Sequence, residues 1–298
     1  MSVRLDRLAT LYLFRPLLRV TLGGGVRVPI LMYHSIREGT EGRHAYYETN
    51  TSPRVFAQQM KFLHDDGYST IECDTMPQGA RRDGAGASTP KSVIITFDDG
   101  YADFYRYAFP ILAEYGFTAT VFVISGLLKA ERTCFKQTEC LNLSEVRELH
   151  SRGISIGSHT VSHPELKRLP QDAVERELSG SKKALEDALG APVKSFAYPF
   201  AFPEADRRFV GMMAGILEKC GYENGVTTIL GTARPGANRW FLPRLPVNSW
   251  DDPRFFRAKL EGAYDWLHVP QYLSKVISAL RHKEKVPVAE VQSRQQLE

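Results

Sequence analysis

Ser92-Val93-Ile94-Ile95-Thr96-Phe97-Asp98-Asp99-Gly100-Tyr101 is the stretch that decides the fold. It opens as a short apolar, β-branched run, the pattern of a buried strand. It ends in two adjacent carboxylates and a glycine, and a helical pattern from Ala102 to Tyr115 follows at once. In parallel α/β proteins, ligands sit where strands end and loops begin. Neighbouring side chains on a strand point to opposite faces. A bend at Gly100 would bring Asp98 and Asp99 to the same rim. One carboxylate could then bind a metal while the other handles a proton. The plainer alternative is an Asp-Gly turn, and a phosphoryl-transfer site holding magnesium uses similar chemistry.

A second stretch, Gly157-Ser158-His159-Thr160-Val161-Ser162-His163-Pro164, follows a short strand at Ile154 to Ile156. Histidines four apart fall on one side of a helical turn, close enough to share an ion. Taken alone they would read as surface residues. Together with a strand that ends in aspartates they form a His-His-Asp set suited to zinc or a similar divalent ion. Three protein ligands leave a position open for water.

Thr96-Phe97-Asp98-Asp99-Gly100 and Ser158-His159-Thr160-Val161-Ser162-His163 resemble the first two motifs of the polysaccharide deacetylases, the NodB-homology or carbohydrate esterase family 4 group. Ser195-Phe196-Ala197-Tyr198-Pro199-Phe200 is similar to the third. The resemblance runs from about Val28 to Tyr264. It implies a distorted, incomplete (β/α) barrel and hydrolysis of an N-acetyl group on a glycan. It further implies a divalent metal, zinc foremost, held by Asp99, His159 and His163. Asp98 would be the general base, and the Phe200 N–H would face the oxyanion on a turn shaped by Tyr198 and Pro199. Two departures stand out. Ala197 occupies the place of an arginine often found beside the base, and Arg244 is the candidate replacement, a surface salt bridge being its plainer reading. The late Leu-x-His motif that supplies a general acid has only a partial match at Leu267-His268. His34, at the end of the strand Pro29 to His34, is the rival acid.

Length and composition agree with one α/β domain of barrel size: 298 residues, 43% hydrophobic and 24% charged. The net charge of +4 argues against nucleic acid as the main partner. The expected partner is an N-acetylated oligo- or polysaccharide. A metal amidase on a smaller or non-sugar substrate and an inactive glycan-binding barrel are the alternatives. A paired-carboxylate glycosidase has no use for the histidines.

Residues 1–27 read as an amphipathic segment followed by a glycine joint at Gly23-Gly24-Gly25, 28–282 as the deacetylase-like domain, and 283–298 as a frayed tail. Leucines 5, 8, 11, 17 and 18, interleaved with arginines, suit either peripheral contact with a membrane or packing against the barrel. No uninterrupted apolar core or small-residue cleavage site marks a signal peptide, so a cytoplasmic or membrane-peripheral location is expected. Cys73, Cys134, Cys140 and Cys220 form no zinc-ribbon pattern. Free thiols are expected, with Cys134 and Cys140 the pair that oxidation would join. Further expectations are a helix from Ser52-Pro53 ended by Gly67, an exposed loop at Arg81 to Pro90, and a long irregular segment from Gly126 to Leu143 over the barrel face. After these come a helix capped by Ser144, the helix Asp172 to Leu189 with Glu175 and Glu177 on its solvated side, and a proline-broken strand around Phe241 to Val247.

Overall fold

A computed structural model describes residues 4–21, 26–39, 46, 48–75 and 91–284, the side chains at 19, 21 and 278–284 excepted. The glycine joint, the loop at 81–90 and the tail from 285 onward lie outside the described residues.

Seven parallel strands close into a ring. They are β1 (Ile30–Tyr33), β2 (Lys91–Phe97), β3 (Thr120–Val123), β4 (Ser155–Ser158), β5 (Ser195–Ala197), β6 (Asn224–Leu230) and β7 (Leu242–Pro246). Each pairs with its neighbour in chain order, and β1 pairs with both β2 and β7, which removes the sheet edges. A short strand, Tyr68–Thr70, is appended to the start of β2. The proline-containing β7 is therefore an interior member of the ring, and its irregularity appears as a shifted register against β6.

Alternation of side chains fills the barrel. Ile30, Ile94, Phe122, Ala197, Val226 and Leu242, one from each of six strands, pack in one buried cluster. β4 contributes Gly157 at this level. A Cβ there would lie 2.4 Å from the Phe122 ring, so the phenylalanine takes the space of a side chain that β4 cannot carry. Two residues further along β2 and β7 the same inner face presents Thr96 and Arg244.

The larger core lies between the strands and the surrounding helices. Pro53–Asp65 begins as its sequence dictates, with the Ser52 hydroxyl accepting the Val55 N–H and proline in the first turn. The helix Leu143–Ser151 starts differently from the reading above. Asn142, not Ser144, is its cap, in a reciprocal pair with Glu145. Gln171–Leu189 ends on Gly190 at φ 67°. The last helix, His268–Glu284, runs past the boundary placed at 282.

The N-terminal segment is helical from Leu5 to Thr21, with a π-type turn at Thr10–Phe14. Pro16 lacks the N–H that would bond back within that turn. One side of the segment is fastened to the barrel. Arg4 bridges Asp6 and Asp251, Tyr264 donates to Asp6, and the buried Lys259 ammonium reaches Asp251 at 2.7 Å. Phe14 stacks on Trp266 at 4.6 Å.

Candidate active site

The three sequence motifs meet at the C-terminal ends of β2, β4 and β5. The residue after each strand still takes part in the ladder: Asp98 N–H bonds to Tyr33, His159 N–H to Val123 and Tyr198 N–H to Val226. Beyond these points the backbone turns sharply. Asp99, Thr160, His163 and Phe200 all have positive φ, between 57° and 70°. Non-glycine residues rarely adopt this region, and clusters of them mark functional sites. Two expectations are refined. The bend that brings both aspartates to the rim starts at Asp99 itself, not only at Gly100. The histidines converge through a left-handed turn, closed by His163 N–H to Thr160 Oγ1 at 2.9 Å, rather than through a helix.

His159 Nε2 and His163 Nε2 lie 3.5 and 3.3 Å from the same atom, Asp99 Oδ1. Among the described residues these three form the one cluster of such ligands, their atoms all within 4.8 Å. His159 Nδ1 is 2.8 Å from the Ala197 carbonyl, which can only accept, so Nδ1 carries a proton and Nε2 is the atom turned towards Asp99. Burial drives His163 towards neutrality against the pull of Asp99. Burial would push the Asp99 carboxyl up, but the two imidazoles outweigh it and hold it well below the ordinary carboxylate range. Two imidazole nitrogens and a carboxylate oxygen therefore converge on one point. A divalent cation satisfies all three, and the donor set fits zinc or a related metal.

Asp98 has a different partner. Arg244 is fully buried, and its two terminal nitrogens each donate to one Asp98 oxygen at 2.7 Å. Its Nε donates to the Thr227 carbonyl, and Nη1 also reaches Thr96 Oγ1. The surface-salt-bridge reading is overturned by this burial. Desolvation alone would raise the Asp98 carboxyl, but the charge and hydrogen bonds of Arg244 keep it below its usual value. His34 is half-buried, with Nε2 4.0 Å from Asp98 Oδ2. Burial depresses its pKa, and the nearby aspartates oppose the shift.

His268 is not brought to this cluster. Its ring bonds to Glu204 at 2.8 Å, and no aspartate or histidine of the site is among its partners. Tyr198 and Pro199 are buried, and Tyr198 packs against Phe196 and Phe202. Phe200 is 48% exposed, with its ring 4.8 Å from that of His163. Among the described residues nothing accepts its N–H, which leaves a donor beside the metal ligands.

Several supporting residues escaped the sequence reading. Glu177, read there as solvated, accepts the N–H groups of Val161 and Ser162 and the Ser162 hydroxyl, at 2.7–3.0 Å. Gly126 approaches the same turn so closely that a Cβ would lie 2.5 Å from the Val161 carbonyl oxygen. The segment expected over the face contains the hairpin Cys134–Phe135/Thr138–Glu139, which rests Phe135 at 4.9 Å from the His163 ring. Hydrogen bonds from Ala102 to Glu139 and from Leu141 to Gly100 fasten this segment to the aspartate turn. All four cysteines are free thiols.

A polysaccharide deacetylase family model matches residues 85–223. The Bacillus subtilis protein YxkH, which carries a provisional polysaccharide deacetylase name, is 32% identical over 239 residues, 79% of this chain and 77% of its own. The Staphylococcus aureus poly-β-1,6-N-acetyl-D-glucosamine N-deacetylase is 23% identical, over 73% of this chain and 78% of its own. Among solved structures, the Streptococcus pyogenes deacetylase PplD in complex with acetate superposes with a TM-score of 0.66 at 29% identity, covering 80% of this chain and 99% of that one. IcaB from Ammonifex degensii shares the fold, with a TM-score of 0.63 at 23% identity. The chain belongs to the polysaccharide deacetylase family, and its parallel (β/α) barrel is of the NodB-homology type.

Proposed function

We propose that the protein is a metal-dependent hydrolase that removes N-acetyl groups from an N-acetylated glycan. The observation that carries this reading is the separation of two carboxylates with different partners: Asp99 among imidazoles, Asp98 on a guanidinium. A divalent cation held by Asp99, His159 and His163 would polarise the acetamide carbonyl and acidify the attacking water. Asp98, kept ionised and aimed by Arg244, takes the proton from that water. The Phe200 N–H donates to the carbonyl oxygen as negative charge grows on it. His34, across from Asp98, gives a proton to the departing amine. Its nearness to Asp98 favours it over His268, which is engaged with Glu204. The S. aureus relative points to poly-N-acetylglucosamine as the first substrate to try.

The test is acetate release from a panel of N-acetylated oligosaccharides, after chelation and with zinc, cobalt or nickel returned. Release that depends on added metal is expected. Full activity in the chelated protein, or release only from non-sugar amides, would reject the reading.

A further inference from the structure

Ten of the fourteen large hydrophobic side chains exposed among the described residues lie on just two helical segments, Leu5–Thr21 and His268–Glu284. The first presents Leu5, Leu8, Tyr12, Leu13, Leu17 and Val20; the second presents Val269, Tyr272, Leu273 and Ile277. Both sets recur at three- and four-residue intervals, the spacing of one helix face.

Neither segment is loose. The first is held from its other side by Phe14 on Trp266, by Trp266 Nε1 donating to Thr10 and by Arg15 gripping Glu261 with two nitrogens. Trp266 lies two residues before the start of the second helix, so the two stripes diverge from a common anchor. A cleft of about 280 Å³ lies at that anchor, lined by Phe14, Leu17 and Trp266 together with Arg27 and Arg234.

The charge pattern selects the occupant. By sequence, residues 4–21 carry Arg4, Arg7, Arg15 and Arg19 against Asp6 alone, and residues 268–284 carry Lys275, Arg281 and Lys283 against Glu284 alone. Arg15 and Lys275 are engaged with Glu261 and Glu204, so the charge for an anionic surface comes from Arg19, Arg281 and Lys283, with the exposed Arg234 beside the cleft. We infer that this face docks on an anionic phospholipid bilayer, apolar stripes in the acyl boundary and cations at the headgroups. A symmetric contact with a second copy would set the two cationic segments against their own images, which like-charge repulsion opposes. Among the described residues no helix is long and apolar enough to cross a membrane.

The full chain is tested by co-sedimentation with vesicles of phosphatidylcholine alone or with 30 mol% phosphatidylglycerol. Two double variants are compared, Leu13→Glu/Val20→Glu and Leu273→Glu/Ile277→Glu. These side chains are 49–85% exposed, so folding should be unaffected. Wild type is expected to bind the anionic vesicles, and each variant at least tenfold less. Acetate release from a soluble oligosaccharide should be equal in all three proteins, which separates this result from the fate of the catalytic reading. No binding by wild type, unaltered binding by both variants, or a dimer in sedimentation velocity that the variants dissolve in place of vesicle binding would each overturn the inference.

Discussion

Arg244 and Asp98 form a two-pronged ion pair inside the barrel, with the guanidinium withdrawn completely from solvent. Arg244 stands two residues beyond Leu242 on the inner face of β7, and Asp98 follows the inner-facing Thr96 of β2 by two. Removing one partner of such a pair leaves an unpaired buried charge, at a cost of about 3–5 kcal/mol. Arg244→Ala should therefore melt well below wild type. Arg244→Lys keeps the charge but not the planar fork. Its turnover should fall between wild type and Arg244→Ala, with metal content unchanged in both. Arg244→Ala with wild-type kcat would remove Arg244 from the reaction.

The two aspartates are expected to separate by what they lose. Asp98→Asn should retain metal and lose turnover by ~10²–10⁴-fold, the usual contribution of a general base. Asp99→Ala, His159→Ala and His163→Ala should each lose the metal, since a three-ligand site has no spare donor. Metal analysis of the purified variants decides. Metal lost from Asp98→Asn but kept in Asp99→Asn would exchange the roles.

His34 is checked through its leaving group. An amine needs a proton to depart, whereas an activated aryl acetate does not. His34→Ala should cost far more on the amide than on the ester. Equal losses on both would mean that His34 binds or supports rather than protonates.

The turn that carries the histidines depends on residues that never touch a metal. Groups that hold ligands in place typically contribute about 10–100-fold in affinity or activity. Glu177→Gln should raise the metal Kd by about tenfold in chelator competition. Gly126→Ala must displace the Val161 carbonyl, a backbone group, and should weaken metal binding further while lowering Tm. Wild-type metal affinity in both would show that the turn holds itself.

Acid should release the N-terminal helix. Burial would raise the Asp6 carboxyl, but hydrogen bonds and charge from Arg4, with the Tyr264 hydroxyl, keep it below the ordinary aspartate value. A depressed folded-state pKa gives stability that is present above the unfolded value, near 4, and lost as pH falls through the folded value. Unfolding monitored by tryptophan fluorescence, with Trp266 under Phe14, should show an added acid-side loss in wild type that Asp6→Asn lacks. Parallel pH profiles for the two proteins would contradict this account.

The fold and the metal-ligand candidates were legible because they are local. A β-branched run closed by Asp98-Asp99-Gly100, and two histidines after another strand, carry their meaning in a few residues. Arg244 was legible only in part: alternation from Leu242 puts it inside the barrel, but the prolines on both sides of it suit an edge strand as well as an irregular closure. Glu177 and Gly126 could not be found, because each acts through a contact with a turn 15 or more residues away. The strained backbone was hidden for another reason. Left-handed conformation is normally announced by glycine, and Asp99, His163 and Phe200 adopt it while bearing the side chains that the chemistry requires. Ser144 lost the capping role to Asn142 because Asn142, three residues before Glu145, forms the reciprocal pair.

The order of the ring bears on biosynthesis. β1 is the first strand of the barrel to leave the ribosome, yet one of its two partners is β7, the last. A nascent chain that has reached β6 already holds Asp98, Asp99 and both histidines, but it exposes two unpaired strand edges and lacks Arg244. Such intermediates are open to pairing with other chains. The same late strand that seals the barrel delivers the arginine for Asp98, so completion of the buried Asp98–Arg244 pair and closure of the fold become a single event.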